Sequence, residues 1–375
     1  MKNIQKMIVK VGTSTLTQGG QKLSRRYMLS LVQQLVQLQS QGIQVVLVSS
    51  GAIAAGRELM NFPKVGRSLP AKQMFSSIGQ AKLMQTWSEL FSLFDIQVGQ
   101  VLLTRDDFSD RKRYLNARDT LHCLLQHQVI PIINENDTVA TKEIRVGDND
   151  NLAALVGNLI EADLVVLLTD QEGLFTKDPR LNSDAKLIPI VEHINESIFA
   201  LAGGSSTKLG TGGMVTKIEA AQIASQSGTR TVIASSARPN ILIDLAQGKQ
   251  IGTLFLEEIT ARESRKRWLV SEKRKGMIIV DAGAEDKIMH HGASLLASGI
   301  LKTSKQFDRG ATVEIISLSG KAIAIGITNY GSDEIQQLIG KHSACIEDIL
   351  GYSYGTEMIH RTNMTRIKMN EEKTL

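Results

Sequence analysis

Cysteine is nearly absent from this 375-residue chain, which has two, Cys123 and Cys345, far apart and without CxxC spacing. That rules out a disulfide framework and offers no cysteine pair for a zinc site, so both thiols are expected to be buried as small hydrophobes. No run reaches the roughly 18 consecutive apolar residues that a membrane helix needs. The N-terminal stretch MKNIQKMIVKVG lacks the charged, apolar and small-residue succession of a signal peptide. No membrane association and a cytoplasmic location are therefore expected. Internal repeats, low-complexity tracts and a strong charge of either sign are missing too. The net charge of +5 divides into +7 over residues 1–275 and −2 over residues 276–375. An excess this small suits an anionic small substrate without specifying one. A negative tail with no basic stripe among its aromatics argues against nucleic-acid binding, which rests on phosphate neutralisation.

With 42% hydrophobic and 22% charged residues, the composition is that of an ordinary globular chain, long enough for two domains. Apolar runs at residues 6–12, 43–48, 96–103, 129–134, 163–169 and 229–235 read as strands. Between them, apolar residues recur at helical spacing over 25–41, within 71–94, near 111–127, and over 151–162 and 215–228. The first of these helices has Ser24 as its N-cap and stops at Gly42. Short, continuously apolar strands alternating with amphipathic helices predict a mainly parallel sheet covered on both faces, an α/β domain over residues 1–258. Residues 259–274 are charged and lack an apolar period, and read as a linker. Strand-like 275–281, 311–317 and 321–330 with a helix at 284–291 predict a small β-rich domain over 275–355, with 356–375 as a C-terminal tail.

Ligands of open parallel sheets bind beyond the carboxyl ends of the strands. Those ends carry Lys10 and Gly12, then Ser50 and Gly51, then Asn134 with Asp137, then Thr169 and Asp170. A further acidic turn, Asp148-Asn149-Asp150, precedes a helix, and Gly210-Thr211-Gly212-Gly213-Met214-Val215-Thr216-Lys217 precedes another. This last stretch is not a Walker loop, because Thr216 and not glycine stands before Lys217. Taken singly, each motif is equally well a tight turn, a helix cap or a strand-end lysine reaching for solvent. Their placement after successive strands points instead to one anion-binding edge.

The stretches VKVGTS (9–14), VSSGAIAAGR (48–57), LLTRDD (102–107), LNARDT (115–120), INENDTVA (133–140), VGDNDNLAA (146–154), LLTDQEGLFTKDPR (167–180) and LGTGGMVTK (209–217) together resemble the glutamate 5-kinases of the amino acid kinase family. The resemblance runs through GTLF (252–255) and RKRW (265–268) into a tail that looks like a PUA domain. It implies a three-layer α/β sandwich with a mainly parallel central sheet, followed by the small β-rich domain. It also implies transfer of the ATP γ-phosphoryl group, with Mg2+, to the side-chain carboxylate of L-glutamate. A glutamate side chain has a solution pKa of about 4.3, so the nucleophile is already ionised and needs no general base, in keeping with the lack of a convincing catalytic histidine.

By resemblance, Lys10, Lys217 and Asp150 are the catalytic candidates, with no protein metal ligand named. Ser50, Gly51, Asn134, Asp137, Asp148 and Asn149 are the substrate-binding ones. Lys10, Gly12, Thr169, Asp170 and residues Thr211, Gly212, Gly213, Met214, Val215, Thr216 and Lys217 are expected at ATP, and 171–180 along the adenine side. Asp148 and Asp150 are alternative acceptors for the α-ammonium, and Asp150 is also a candidate to orient a lysine. Proline as an inhibitor, a homo-oligomer (dimer or tetramer) and a glutamate-5-semialdehyde dehydrogenase partner are inherited expectations. Kinases of the same fold acting on aspartate, N-acetylglutamate or carbamate are the alternatives, followed by RNA binding through the tail.

Overall fold

A computed structural model describes residues 4–66, 68–140, 148–203, 213–260, 263, 269 and 272–367. The chain divides into two compact units, Met1–Ala261 and Arg262–Leu375. In the first, strands β1 (Lys6–Val11), β2 (Gln44–Ser49), β3 (Val98–Leu103), β4 (Ile130–Glu135), β5 (Leu164–Thr169), β6 (Ile190–Val191), β7 (Arg230–Ser235) and β8 (Thr253–Phe255) form one sheet in the order β3-β4-β2-β1-β5-β7-β8-β6. Pairing is parallel except between β7 and β8. β8 and its parallel neighbour β6 run against the other strands, so the sheet is mainly parallel, as the sequence predicts.

The apolar strands are continuous because both faces are covered. Successive side chains of a strand point to opposite faces, and β1 shows the division directly. Met7, Val9 and Val11 join one core with Leu31, Leu35, Trp87 and Phe91. Ile8 joins another with Val46, Leu121, Ala153 and Ile218. Helices α2 (Arg25–Ser40), α4 (Leu69–Ser92) and α10 (Ile241–Ala246) cover the first face; α6 (Arg111–Gln126), α7 (Asp148–Ile160) and α9 (Met214–Ser225) cover the second. Ser24 caps α2 as expected, its side chain accepting a hydrogen bond from the Tyr27 N–H. Helix α7 begins three residues ahead of the predicted start at 151, which places Asn149 and Asp150 in its first turn.

The short helices α1 (Thr13–Thr17), α3 (Ala52–Leu59), α5 (Arg105–Ser109) and α8 (Glu196–Gly203), like α10, lie outside the helices that the sequence predicts; α1 and α3 start immediately after Gly12 and Gly51. Gly51 adopts φ +107, and a Cβ there would lie 3.1 Å from the Leu16 side chain; only glycine takes this conformation without strain. Helices α3 and α4 cross with their backbones nearly touching: an added Cβ on Gly79 would lie 1.8 Å from the Ala52 carbonyl oxygen. That contact fixes where the middle of α4 stands relative to the end of β2.

The second unit has a five-stranded sheet, β11 (Ile300–Ser304), β9 (Gly276–Val280), β12 (Thr312–Ile316), β13 (Ala322–Ile327) and β15 (Met364–Arg366) in that order, plus a small pair, β10 (Leu295–Leu296) with β14 (Glu357–Ile359). Ile278, Val313, Ile315, Tyr330 and Met358 are part of its own core. The tail predicted at 356–375 is therefore corrected, since residues 357–366 supply two strands whose pairing is non-local. The linker predicted at 259–274 lies largely outside the described residues, as does RKRW (265–268). Neither cysteine is buried: Cys123 is exposed and Cys345 half-buried. Cys123 sits two residues from both Leu121 and Leu125, two of the three buried residues of α6, and at 3.6 residues per turn that puts it on the outward face.

Candidate active site

The parallel register brings four strand ends to one level. Lys10 lies opposite Val48 on one side and Leu167 on the other, and Val48 lies opposite Ile133. The segments that follow, together with the first turns of α7 and α9, enclose a cavity of about 660 Å3. Lys10, Gly12, Ser50, Gly51, Asn134, Asp137, Asn149, Asp150, Thr169, Asp170, Gly213 and Lys217 all line it. Helices α3, α7 and α9 begin at this edge, so their N-terminal N–H groups and dipoles favour negative charge there.

At the centre stands Asp150, with none of its surface exposed. Its Oδ1 lies 2.5 Å from Lys10 Nζ and its Oδ2 3.1 Å from Lys217 Nζ. The Thr216 hydroxyl donates to Oδ2 at 3.0 Å, and Lys217 Nζ also donates to the Gly213 carbonyl at 3.0 Å. Burial alone would push the Asp150 carboxyl up, but the two ammonium groups outweigh it and hold the group below the usual carboxylate range. For Lys10 burial dominates and lowers its pKa; Asp150 opposes that shift and Lys217 adds to it. Two lysines on one carboxylate leave a net positive charge with little water around it, an arrangement that awaits an anion.

Beside this triad runs a row of amides. Asn149 Nδ2 donates to Ser50 Oγ at 2.8 Å and to Asn134 Oδ1 at 2.9 Å, while Asn149 Oδ1 is buried with no partner among the described residues. The Asp137 carboxylate accepts from the Ser76 hydroxyl, and the Asp137 backbone carbonyl accepts from Gln73 at 3.1 Å.

Some expected residues stand elsewhere. Asp148 opens α7, but its side chain, like Thr211 and Gly212, lies outside the described residues. Met214, Val215 and Thr216 do not line the cavity: Met214 packs against the core and Thr216 is turned to Asp150. Residues 171–180 do not line it either, and Leu174 is buried in the core. Arg57, Lys72 and Glu135, absent from the residues that the sequence points to, also border the cavity. Arg57 lies over the Phe75 ring, 5.3 Å from its centre. Lys72, Ser76 and Gln80 stand at i, i+4 and i+8 on one face of α4, but Gln73, Ser77, Lys82 and Gln85 put polar side chains elsewhere on the helix, so the spacing is no signal by itself.

A parallel sheet with twin lysines and glycine-started helices at its carboxyl edge defines a phosphoryl-handling α/β domain, and the match of residues 5–235 to the model of the amino acid kinase family agrees with it. The chain belongs to the amino acid kinase family. Residues 276–350 match the PUA domain. Within the family the chain is similar to the glutamate 5-kinase of Haemophilus influenzae (strain PittGG), 51% identical over 96% of this chain and 99% of that protein. It is equally similar to that of Pasteurella multocida (strain Pm70), 51% identical over 97% and 99%. The glutamate 5-kinase of Sodalis glossinidius (strain morsitans) is 49% identical over 97% and 99%. Among solved structures, UMP kinase from Bacillus anthracis aligns with 69% of this chain and 98% of its own, at a TM-score of 0.48 and 12% identity.

Proposed function

We propose that this protein is a glutamate 5-kinase, transferring the γ-phosphoryl group of ATP to the side-chain carboxylate of L-glutamate. The observation that carries the reading is the buried Lys10–Asp150–Lys217 bridge at the sheet edge, set beside the amide row that ends at Ser50. A carboxylate oxygen attacks the γ-phosphorus while the bond to the β,γ-bridging oxygen breaks, so ADP departs and L-glutamyl 5-phosphate forms. No proton moves, because a carboxylate of pKa about 4.3 is already ionised near neutrality.

The barrier lies in bringing an anion against a polyanion, and catalysis is positioning and charge neutralisation. Lys10 and Lys217 meet the charge that spreads over the transferring group and its leaving oxygen. Asp150 holds both ammonium groups at fixed points, so they need no reorganisation when charge develops. This separates it from Asp137 and Asn149, because both Asp150 oxygens are engaged with cations. Ser50 and Asn149 take the α-carboxylate and α-ammonium, and a bound ammonium satisfies the orphaned Asn149 Oδ1. Mg2+ brought in with ATP would supply further positive charge against the phosphates, and no residue of this chain is assigned to hold it.

The same reading carries a cytoplasmic enzyme of the first step of proline synthesis, a homo-oligomer, inhibition by proline, and handover of the labile acyl phosphate to glutamate-5-semialdehyde dehydrogenase. No helix among the described residues is long and apolar enough to cross a membrane. The test supplies ATP and Mg2+ with L-glutamate, L-aspartate, N-acetyl-L-glutamate or carbamate in turn, and detects acyl phosphate: as hydroxamate for the first three, by ADP release for carbamate. L-glutamate is expected to react; product from one of the others and none from L-glutamate overturns the assignment.

A further inference from the structure

Asn134 is 4% exposed, so its amide atoms need protein partners. The backbone N–H of Glu135 donates to Asn134 Oδ1 at 2.9 Å. A backbone N–H can only donate, so this end of the amide is the carbonyl and the other is the NH2, which donates to Gln80 Oε1 at 2.8 Å. The same Oδ1 accepts from Asn149 Nδ2 at 2.9 Å, so the remaining amide atom of Asn149 is a carbonyl oxygen. Asn149 Nδ2 gives its other hydrogen to Ser50 Oγ at 2.8 Å, which leaves the Ser50 proton for donation to something else. The directions of four hydrogen bonds are thus fixed: three lead from the β4 backbone through Asn134 and Asn149 to a hydroxyl in the cavity wall, and the fourth ties Asn134 to Gln80. Gln80 Nε2 is buried without a partner among the described residues, so what Gln80 contributes to Asn134 is an acceptor.

We propose that Gln80 is a positioning residue for the amino-acid substrate. It holds Asn134, and through it Asn149, so that a hydroxyl donor and a carbonyl acceptor stand side by side. A carboxylate and an ammonium on one carbon atom require that pair. Gln80 itself is placed by its neighbour Gly79, whose backbone abuts the Ala52 carbonyl where α3 and α4 cross. The inference rests on the functional reading above and adds that the site recognises a free α-amino group through a residue one layer behind the cavity wall.

The test uses the full chain and the hydroxamate assay, with glutarate, which differs from glutamate only in lacking the amino group, as a competitor. Gln80→Leu removes the acceptor at similar volume. It is expected to raise KM for L-glutamate about tenfold, the scale of one oriented buried hydrogen bond, with KM for ATP unchanged. The preference for L-glutamate over glutarate, read as the ratio of glutarate Ki to glutamate KM, is expected to fall by a similar factor. Gln80→Glu restores an acceptor oxygen and is expected to recover most of the loss. Where Gln80→Leu does not fold, Gln80→Met repeats the removal. An unchanged glutamate KM, a parallel rise in the KM for ATP, or a Gln80→Glu variant as poor as Gln80→Leu overturns the proposal. An unsubstituted protein that fails to phosphorylate L-glutamate overturns the functional reading, and this inference with it.

Discussion

Asp150→Asn tests the charge arrangement most directly, because it keeps the shape of the side chain and removes its charge. Asp150 is fully buried, while Lys10 and Lys217 are 5% and 8% exposed, so the variant leaves two ammonium groups close together with little water to screen them. At 2.5 and 3.1 Å, each pair is closer than the 4 Å at which an effective dielectric of 20 gives about 4 kcal/mol, though desolvation cancels much of that gain. Removing one partner of a buried ion pair costs about 3–5 kcal/mol. The low end applies here, since the asparagine oxygen still accepts from Thr216 or Lys217. With a slope of about 1–3 kcal/mol per molar urea, the unfolding midpoint should fall by about 1–3 M; Trp87, buried in the first unit, reports the transition. Turnover should fall about 10²- to 10³-fold, the scale of losing preorganised charge stabilisation. The pH dependence follows from signs. Burial and Lys217 lower the Lys10 pKa and Asp150 opposes them, so without Asp150 it drops further and Lys10 loses its proton more readily. The residual activity of the variant should therefore increase, relative to the unsubstituted protein, as pH falls. In the unsubstituted protein the depressed Asp150 pKa gives stability that is present above the unfolded carboxyl value of about 3.9 and lost as pH falls through the folded one. An Asp150→Asn protein with an unchanged urea midpoint and near-normal turnover would refute this account of the site.

Lys217→Ala removes one of the two point charges and should lower kcat about 10²- to 10³-fold with little change in the thermal midpoint; near-normal turnover takes the residue out of the mechanism. Gly79→Ala inserts a methyl group 1.8 Å from the Ala52 carbonyl oxygen, a backbone atom that cannot swing away. It should destabilise the first unit by about 1–3 kcal/mol and raise KM for glutamate through displacement of α4; calorimetry showing no loss contradicts the close crossing. A chain ending at Ala261 retains every residue lining the cavity and both cores of the first unit. It should remain a kinase in the hydroxamate assay, and a folded but inactive fragment would show that the second unit is needed for activity.

The parts of the site written as strand ends were legible in the sequence. Lys10, Ser50, Asn134 and Thr169 follow apolar runs whose length and β-branching mark them as buried parallel strands, and each stands where that reading puts it. Contributions from α4 were not legible. Lys72, Ser76 and Gln80 are three of many polar residues in α4, among them Gln73, Ser77, Lys82 and Gln85, and only the near-contact at Gly79 says which face turns to the site. Thr216, placed at ATP by its glycine-rich segment, gives its hydroxyl to Asp150 Oδ2, the same oxygen that Lys217 meets, a partner that lies 66 residues away and leaves no local mark. The chemistry of Cys123 suits a core residue, but its position on α6 turns it outward.

The sequence by itself determined the alternation of strands and helices, and with it the edge of the sheet where anions collect, because apolar period and turn chemistry are local properties. It also carried the two lysines and the acidic turn between them in chain order. Tertiary structure alone decided that Asp150 bridges Lys10 and Lys217, which stand 140 and 67 residues away along the chain. It alone ran hydrogen bonds from β4 through Asn134 and Asn149 to Ser50, and it alone built residues 357–366 into the second sheets. Such partners are chosen by parallel register and helix crossing, which depend on what lies across the fold and leave no periodic mark on the residues involved.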